Sequence, residues 1–228
     1  VASGAKADSL IVPAGGATAN ITGCAVVTMS TIGFGASASG STCSITSTFT
    51  AASPDTGSYS GLTGGTLKML TGGPATGVLA MPITDFATFV TPTDTVHFDL
   101  TEIDPGSGNA GACTSNTVGN SCTPPGSPFT LTQVTANKVA ISLSLNGLAY
   151  INNTTNANAT GALFTTQNLI PGTITGILAQ VTSPGGFTAD SFSATFVSSA
   201  VPEPGTLTML CAGVGMLGIS FISRKRRS

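Results

Sequence analysis

Residues 138–150 read KVAISLSLNGLAY, and between residues 139 and 145 apolar residues alternate with small or polar ones. Successive side chains of a β-strand point to opposite faces of the sheet, so this alternation predicts a strand with one buried and one solvated face. Residues 96–100 and 192–196 alternate in the same way. Antiparallel sheets with one wet face give this pattern. The chain is therefore predicted to be all-β.

The segment from residue 8 to residue 200 contains further runs of this type, separated by clusters of Gly, Pro, Asn and Ser. Alternating runs punctuated by turn residues are typical of antiparallel sandwiches and barrels. We predict an antiparallel β-sandwich of two stacked sheets over residues 8–200. The predicted strands are residues 9–12, 21–30, 43–51, 66–70, 83–90, 95–103, 129–134, 138–150, 162–169, 173–181 and 187–197.

Charged residues make up only 7% of the 228 residues, against roughly 25% in an average soluble protein. Up to residue 200 there are three lysines against eight acidic residues, so the body of the chain is negatively charged. Such a body does not attract phosphate groups, which argues against a nucleic-acid partner. Ser, Thr, Asn and 29 Gly take the place of charge, and this composition favours an extracellular setting.

Four of the five cysteines lie in the body, and an even number in an exported chain indicates disulfides. Four cysteines allow three pairings. Cys113 and Cys122 flank one Gly/Ser/Asn/Pro-rich loop and form the natural pair, which leaves Cys24 with Cys43. Neither pair has CxxC spacing, and a chain with one histidine does not fit the usual zinc sites. Cys211 is predicted to remain free.

Catalytic residues are not predicted. His97 is the chain's one histidine and lies two positions from Asp99, so the two side chains share a strand face, but a G-x-S-x-G motif is missing. We interpret them as polar residues on a wet face. Four acids within eleven residues could attract calcium, but the loop lacks the terminal glutamate of a calcium motif. They are Asp94, Asp99, Glu102 and Asp104. No metal or cofactor is predicted.

The C-terminal end has three parts in a fixed order. Pro202, Glu203 and Pro204 precede an uncharged run, residues 205–223, and a basic cluster follows it. A helix of about 20 apolar residues spans a bilayer, and basic residues stay on the cytoplasmic side. We therefore predict a single transmembrane helix with the body outside. The basic cluster consists of Arg224, Lys225, Arg226 and Arg227.

This arrangement resembles the PEP-CTERM domain, the sorting signal that exosortases read. The resemblance covers residues 201–228 and implies cleavage near the PEP triad, with transfer to the cell surface or an exopolysaccharide matrix. At the other end, Ala5-Lys6-Ala7 matches a signal-peptidase site, so residues 1–7 are interpreted as a signal-peptide remnant.

Together these features predict an exported structural protein of the cell surface or matrix. The predicted partners are an exosortase, the membrane through the C-terminal helix, and exopolysaccharide. The alternative is an adhesin or polysaccharide-binding module that uses the loops of the sandwich, and a hydrolase ranks third. The absence of Trp and the presence of only two Tyr argue against sugar-stacking platforms.

Overall fold

The computed structural model describes residues 10–28, 30–36, 38–39, 42–71, 76–152, 154–166, 170–183 and 186–199. Within them, the alternating sequences form β-strands. These are β1 (Ala17–Val27), β2 (Thr31–Gly35), β3 (Ala38–Ser39), β4 (Thr42–Cys43), β5 (Thr48–Ala52), β6 (Gly64–Leu67), β7 (Leu70–Thr71), β8 (Gly77–Val90), β9 (Thr95–Ile103), β10 (Ser121–Cys122), β11 (Phe129–Thr135), β12 (Lys138–Ile151), β13 (Asn158–Thr166), β14 (Ile170–Pro171) and β15 (Phe187–Ser198).

Short helical segments interrupt the strands. One α-helix, α1 (Ile174–Val181), lies in the described part of the chain, and 3-10 turns occupy Gly57–Tyr59, Ala110–Thr114 and Thr154–Asn156. No helix among the described residues is both long and apolar enough to cross a membrane. The predicted helix at residues 205–223, the rest of the tail and residues 1–7 lie outside the described residues.

Eight of the described strands form one closed antiparallel sheet. The hydrogen-bonded order is β12-β13-β15-β1-β5-β6-β8-β9, and a further pairing of β9 with β12 completes the ring. The first and last strands of the ring in chain order are neighbours, since β1 pairs with β15 from Ala17 opposite Ser198 onward. The architecture is therefore an eight-stranded barrel with additional short strands at its rim.

The all-β antiparallel class is confirmed, but the predicted arrangement as two stacked sheets is wrong. The reason is that β12, a strand of 14 residues, pairs along one edge with two different strands. Residues 138–143 pair with β11, whereas residues 145–151 pair with β9. Alternation predicts only that one face of each strand is buried, and the inner faces of a sandwich and of a barrel satisfy it equally.

Aromatic side chains fill the barrel. Phe196 of β15 is fully buried, and its ring lies 4.8 Å from that of Phe89, 5.2 Å from that of Phe98 and 5.7 Å from that of Phe164. The contacts with Phe89, Phe98 and Phe164 are edge-on, an arrangement that the charge distribution of aromatic rings favours. Rings from opposite walls of the barrel therefore meet at its axis.

Residues 173–181, which were predicted as a strand, form α1 instead. Thr173 caps the helix by accepting a hydrogen bond from the Gly176 backbone N–H. Ile174 and Ile177 are buried, and Leu178 and Val181 pack against the core. This spacing of i, i+3, i+4 and i+7 is helical, and the segment's β-branched residues had suggested a strand.

The structure contains both predicted disulfides, Cys24–Cys43 and Cys113–Cys122. The first ties β1 to the short strand β4, and the second ties the 3-10 turn Ala110–Thr114 to β10. The Cys113–Cys122 bridge joins residues nine positions apart and closes part of the long loop that follows β9. Loop closure of this size contributes about 2–3 kcal/mol to stability in the chain-entropy account.

The seam between β9 and β12 depends on Gly147. A Cβ atom at this position would lie 2.6 Å from Cζ of Phe98 and still closer to the Asp99 carbonyl oxygen. We predict that Gly147→Ala lowers the free energy of unfolding by about 1–3 kcal/mol, because backbone on both sides of the seam must shift. Chemical denaturation measures this loss.

The matched control is Gly161→Ala on the neighbouring strand β13. A Cβ there would meet only Asn146 Oδ1, at an ordinary 3.7 Å. Stability should stay the same or rise slightly, since alanine in a strand interior restricts the unfolded chain more than glycine does. Equal losses for the two variants would contradict the importance of the seam.

Candidate functional site

Four titratable side chains meet on the outer surface of β8, β9 and β12. We refer to Asp85, His97, Asp99 and Tyr150 as the Tyr150 cluster. His97 and Asp99 lie on the outward face of β9, and Tyr150 lies opposite His97 in the β9–β12 register. The pairing of β9 with both neighbours therefore brings together residues from three separate parts of the sequence.

Hydrogen bonds link all four members. His97 Nδ1 donates to Asp85 Oδ1 at 2.6 Å, and the Tyr150 hydroxyl donates to Asp99 Oδ1 at 3.1 Å. The backbone N–H of Asp85 also donates to Asp99 Oδ1, at 2.8 Å. The imidazole and phenol rings stack with centroids 5.4 Å apart and planes 13° from parallel.

An irregular part of β8 places Asp85 in this cluster. The pairing of β8 with β9 shifts register between Val78 and Ile83 and again between Ile83 and Ala87. Asp85 lies between these points with a φ of 49°, a conformation that aspartate tolerates better than most residues. Bulges of this kind redirect side chains, and here the bulge brings the carboxylate to His97.

The predicted neighbours His97 and Asp99 do share a face, but His97 pairs with Asp85. Asp99 is only 7% exposed, so its interpretation as a residue on a wet face is wrong. Tyr150 and the bulged part of β8 cover it. Sequence reasoning missed Asp85 and Tyr150, and no local signal marks them, because their proximity depends on which strands pair.

The chemistry of the cluster is that of a histidine–carboxylate pair beside a neutral phenol. Burial, followed by the negative charges of Asp99 and Asp85, raises the pKa of Tyr150 to about 12, so its hydroxyl stays protonated and acts as a donor. Thr88 lies opposite His97 in the β8–β9 register, and its hydroxyl is hydrogen-bonded to Thr66 Oγ1 at 2.7 Å. The hydrogen bonds among the four cluster residues hold β8, β9 and β12 together.

The four candidate calcium ligands have separate environments. Asp99 belongs to the Tyr150 cluster, whereas Asp104 accepts hydrogen bonds from Ser144 Oγ at 2.6 Å and Asn146 Nδ2 at 2.8 Å. Asp94 lies in the turn between β8 and β9, where its N–H donates to Thr91 Oγ1. Glu102 lies opposite Asn146. In the described part of the chain, no three His, Cys, Asp or Glu side chains are grouped to hold a metal.

A small apolar cavity lies at one end of the barrel. Its volume is about 50 Å³, and its walls include Phe34, Phe164, Phe192 and Leu143. Sites for drug-sized ligands and cofactors usually measure about 300–1,000 Å³. The cavity is therefore too small for an organic cofactor.

Comparison with known proteins identifies the tail alone. Residues 200–227 match the family model of the PEP-CTERM protein-sorting motif. This segment includes the PEP triad (Pro202, Glu203 and Pro204) and the basic cluster at residues 224–227. All of these lie outside the residues that the structure describes. No curated protein and no solved structure matches the chain. The resemblance found in the sequence is thus confirmed for the tail.

Both tyrosines should ionise at a higher pH than an ordinary tyrosine. Burial also raises the pKa of Tyr59 to about 12, although its hydrogen bond with Ser198 Oγ at 3.0 Å acts in the opposite direction. The ordinary tyrosine pKa is about 10. In the folded protein, tyrosinate absorbance should therefore rise near pH 12, and Tyr59→Phe and Tyr150→Phe should each remove about half of that rise.

The same shifts predict how stability depends on pH. Folding raises the affinity of these hydroxyls for their protons, so their contribution is intact below about pH 10 and is lost as the pH rises through 12. Denaturant titrations at each pH test this decline. Ionisation of both tyrosines near pH 10 in the folded protein would contradict the buried geometry.

Proposed function

We propose that this chain is an exported protein that an exosortase sorts through its C-terminal tail, and that its barrel serves as a structural component of the cell surface or extracellular matrix. The match of residues 200–227 to the PEP-CTERM sorting motif carries this proposal. The motif supports export and delivery to the cell surface. The body, residues 8–200, is the part that would be delivered.

Properties of the barrel support an extracellular location. Two disulfides lie in the described residues, and disulfides persist in oxidising compartments. The outward residues of β1, β5, β12, β13 and β15 include many Ser, Thr and Asn, which hydrogen-bond water and each other without attracting ions. Such a surface suits a matrix component, whose neighbours are hydrated polymers.

A non-catalytic role is also proposed. The Tyr150 cluster has the histidine and carboxylate of a hydrolytic site, but its phenol donates to Asp99 and the neighbouring Thr88 hydroxyl is bonded to Thr66. The hydrogen bonds from Asp85 and Tyr150 to Asp99 give the cluster a structural purpose. An adhesin or polysaccharide-binding role is the second candidate. The exposed hydroxyl and amide side chains on the outside of the barrel favour it.

The first test concerns processing of the tail. We predict that protein released from the cell surface ends near Pro202–Pro204 and lacks residues 205–228. Intact-mass measurement on that material determines the C-terminus. Replacing the triad by alanines (Pro202→Ala, Glu203→Ala and Pro204→Ala) should leave the full-length chain in the membrane fraction.

Pro125→Ala, at an exposed loop position, is the matched control and should be processed normally. Recovery of the full-length C-terminus from matrix material would overturn the processing step.

The second test concerns independence of the body. All eight strands of the ring lie before the tail, because the last of them, β15, ends at Ser198. The buried side-chain polar atoms of the described residues all have hydrogen-bond partners. We therefore expect residues 8–200 alone to give a soluble monomer with a β-type circular dichroism spectrum and cooperative thermal unfolding. Aggregation or gradual melting of this fragment, with cooperative melting of the full chain in detergent, would show that the tail belongs to the fold.

A further inference from the structure

Rows of uncharged residues cross the outer face of five adjacent strands of the barrel, and we call these rows the hydroxyl wall. The strands are β12, β13, β15, β1 and β5, which are consecutive neighbours in the sheet, and the exposed Lys138 at the start of β12 lies outside the rows. Residues paired in the register share a face, so the pairings define rows that run across the strands. None of the positions in these rows carries a charged residue.

The first row is made of hydroxyls alone. Its pairings are Ser142 with Thr165, Thr165 with Ser193, Ser193 with Thr22, and Thr22 with Thr50. All five side chains are partly or fully exposed. Neighbouring strands lie about 4.8 Å apart, so this row places a hydroxyl at regular steps over roughly 19 Å.

The next two rows combine hydroxyls and amides with Ala52 and two large aliphatic side chains. The second row runs through Ser144, Leu163, Thr195, Asn20 and Ala52, and the third through Asn146, Gly161, Val197 and Thr18. Leu163 is 51% exposed and Val197 is 40% exposed. Gly161 lies between Asn146 and Val197 and contributes no side chain.

The polar groups of the wall are held in place by one another. Thr195 Oγ1 donates to Asn20 Oδ1 at 2.8 Å, and the Thr165 and Ser193 hydroxyls lie 3.4 Å apart. At the edges, Asp104 accepts from Ser144 and Asn146, and Asp55 accepts from the backbone N–H of Asn20 at 2.8 Å. Both flanking carboxylates therefore face groups of the wall.

We propose that the hydroxyl wall binds a neutral polysaccharide chain laid across the strands. This inference rests on the proposed function and specifies the partner of its second candidate. Hydroxyls and amides both donate to and accept from sugar hydroxyls, and exposed Leu163 and Val197 offer apolar contact to the C–H faces of the rings. Binding of acidic polymers is disfavoured, because the body of the chain is negatively charged and the wall offers no cation.

The repeat of the wall matches a repeating ligand. Each hydrogen bond to an exposed hydroxyl is weak on its own. A polymer that follows a row contacts several strands in turn, and because its later contacts form within one complex, the overall affinity rises. The binding surface is then the side of the barrel, and the loops predicted from the sequence are not required.

The experiment measures depletion of the full chain, kept in detergent micelles, by microcrystalline cellulose and by insoluble mannan, with polygalacturonate as the anionic comparison. We expect retention on at least one neutral polymer and none on polygalacturonate. Thr165→Glu and Leu163→Ala should each weaken retention by about fivefold or more, the loss expected for one hydrogen bond or apolar contact.

Matched controls lie on another part of the barrel. Thr66 of β6 makes the same kind of cross-strand hydroxyl contact as Thr165, and Val90 of β8 is 44% exposed. Thr66→Glu and Val90→Ala should leave retention unchanged, and thermal unfolding of all four variants separates binding loss from unfolding. If Thr165→Glu fails to fold, Leu163→Ala, an exposed truncation, decides the outcome.

No retention on either neutral polymer, equal retention on polygalacturonate, or equal losses in wall and control variants would overturn the proposal. Sorting through the tail would survive each of these results, because the mass of the released protein tests it separately.

Discussion

The pairing of β12 with β9 is the constraint on which the rest of the structure depends. It joins residues 96–103 to residues 145–151 and converts an open sheet into a ring. Without it, β9 and β12 would each present unpaired backbone groups, which are costly when buried and prone to pair with other chains when exposed. The Tyr150 cluster lies on the outside of this seam, and Phe98 and Leu100 cover its inside.

A chain with few charges has to satisfy its polar groups by other means, and this barrel does so with hydroxyls. Thr160 and Ser198 share a buried hydrogen bond at 2.8 Å, and Ser198 also reaches Tyr59. Gln133 is fully buried, yet its side chain bonds to the backbone of Thr135 and Ile174, which links β11 to the start of α1. Uncharged groups can be buried in this way at far lower desolvation cost than ions.

Much of the fold follows from local patterns, and two of the failures share one physical cause. Alternation predicted the strand at residues 138–150, and loop composition predicted Cys113–Cys122, because these features depend on neighbours in the sequence. Cys24–Cys43 followed as the pair that remained. The helix at residues 174–181 was missed because its β-branched residues suggested a strand, whereas closure of the barrel and the meeting of Asp85 with His97 depend on pairings between distant segments. Those pairings are chosen by the packing of the whole core, in which Phe196 contacts three other strands, and no short window contains that information. The tail was recognisable because its order of PEP triad, apolar run and basic cluster is read directly from the chain.

The position of β15 determines how this protein would bear mechanical load. Its last residue, Ser198, stands only a few positions before the PEP triad, so tension from an attachment at that triad enters the barrel through the end of β15. This strand is hydrogen-bonded along both edges, to β13 and to β1. A pull along the strand axis stretches those perpendicular hydrogen bonds together, in shear, and does not open them one after another as peeling would. The barrel is thus built to resist tension at the end by which it would be attached.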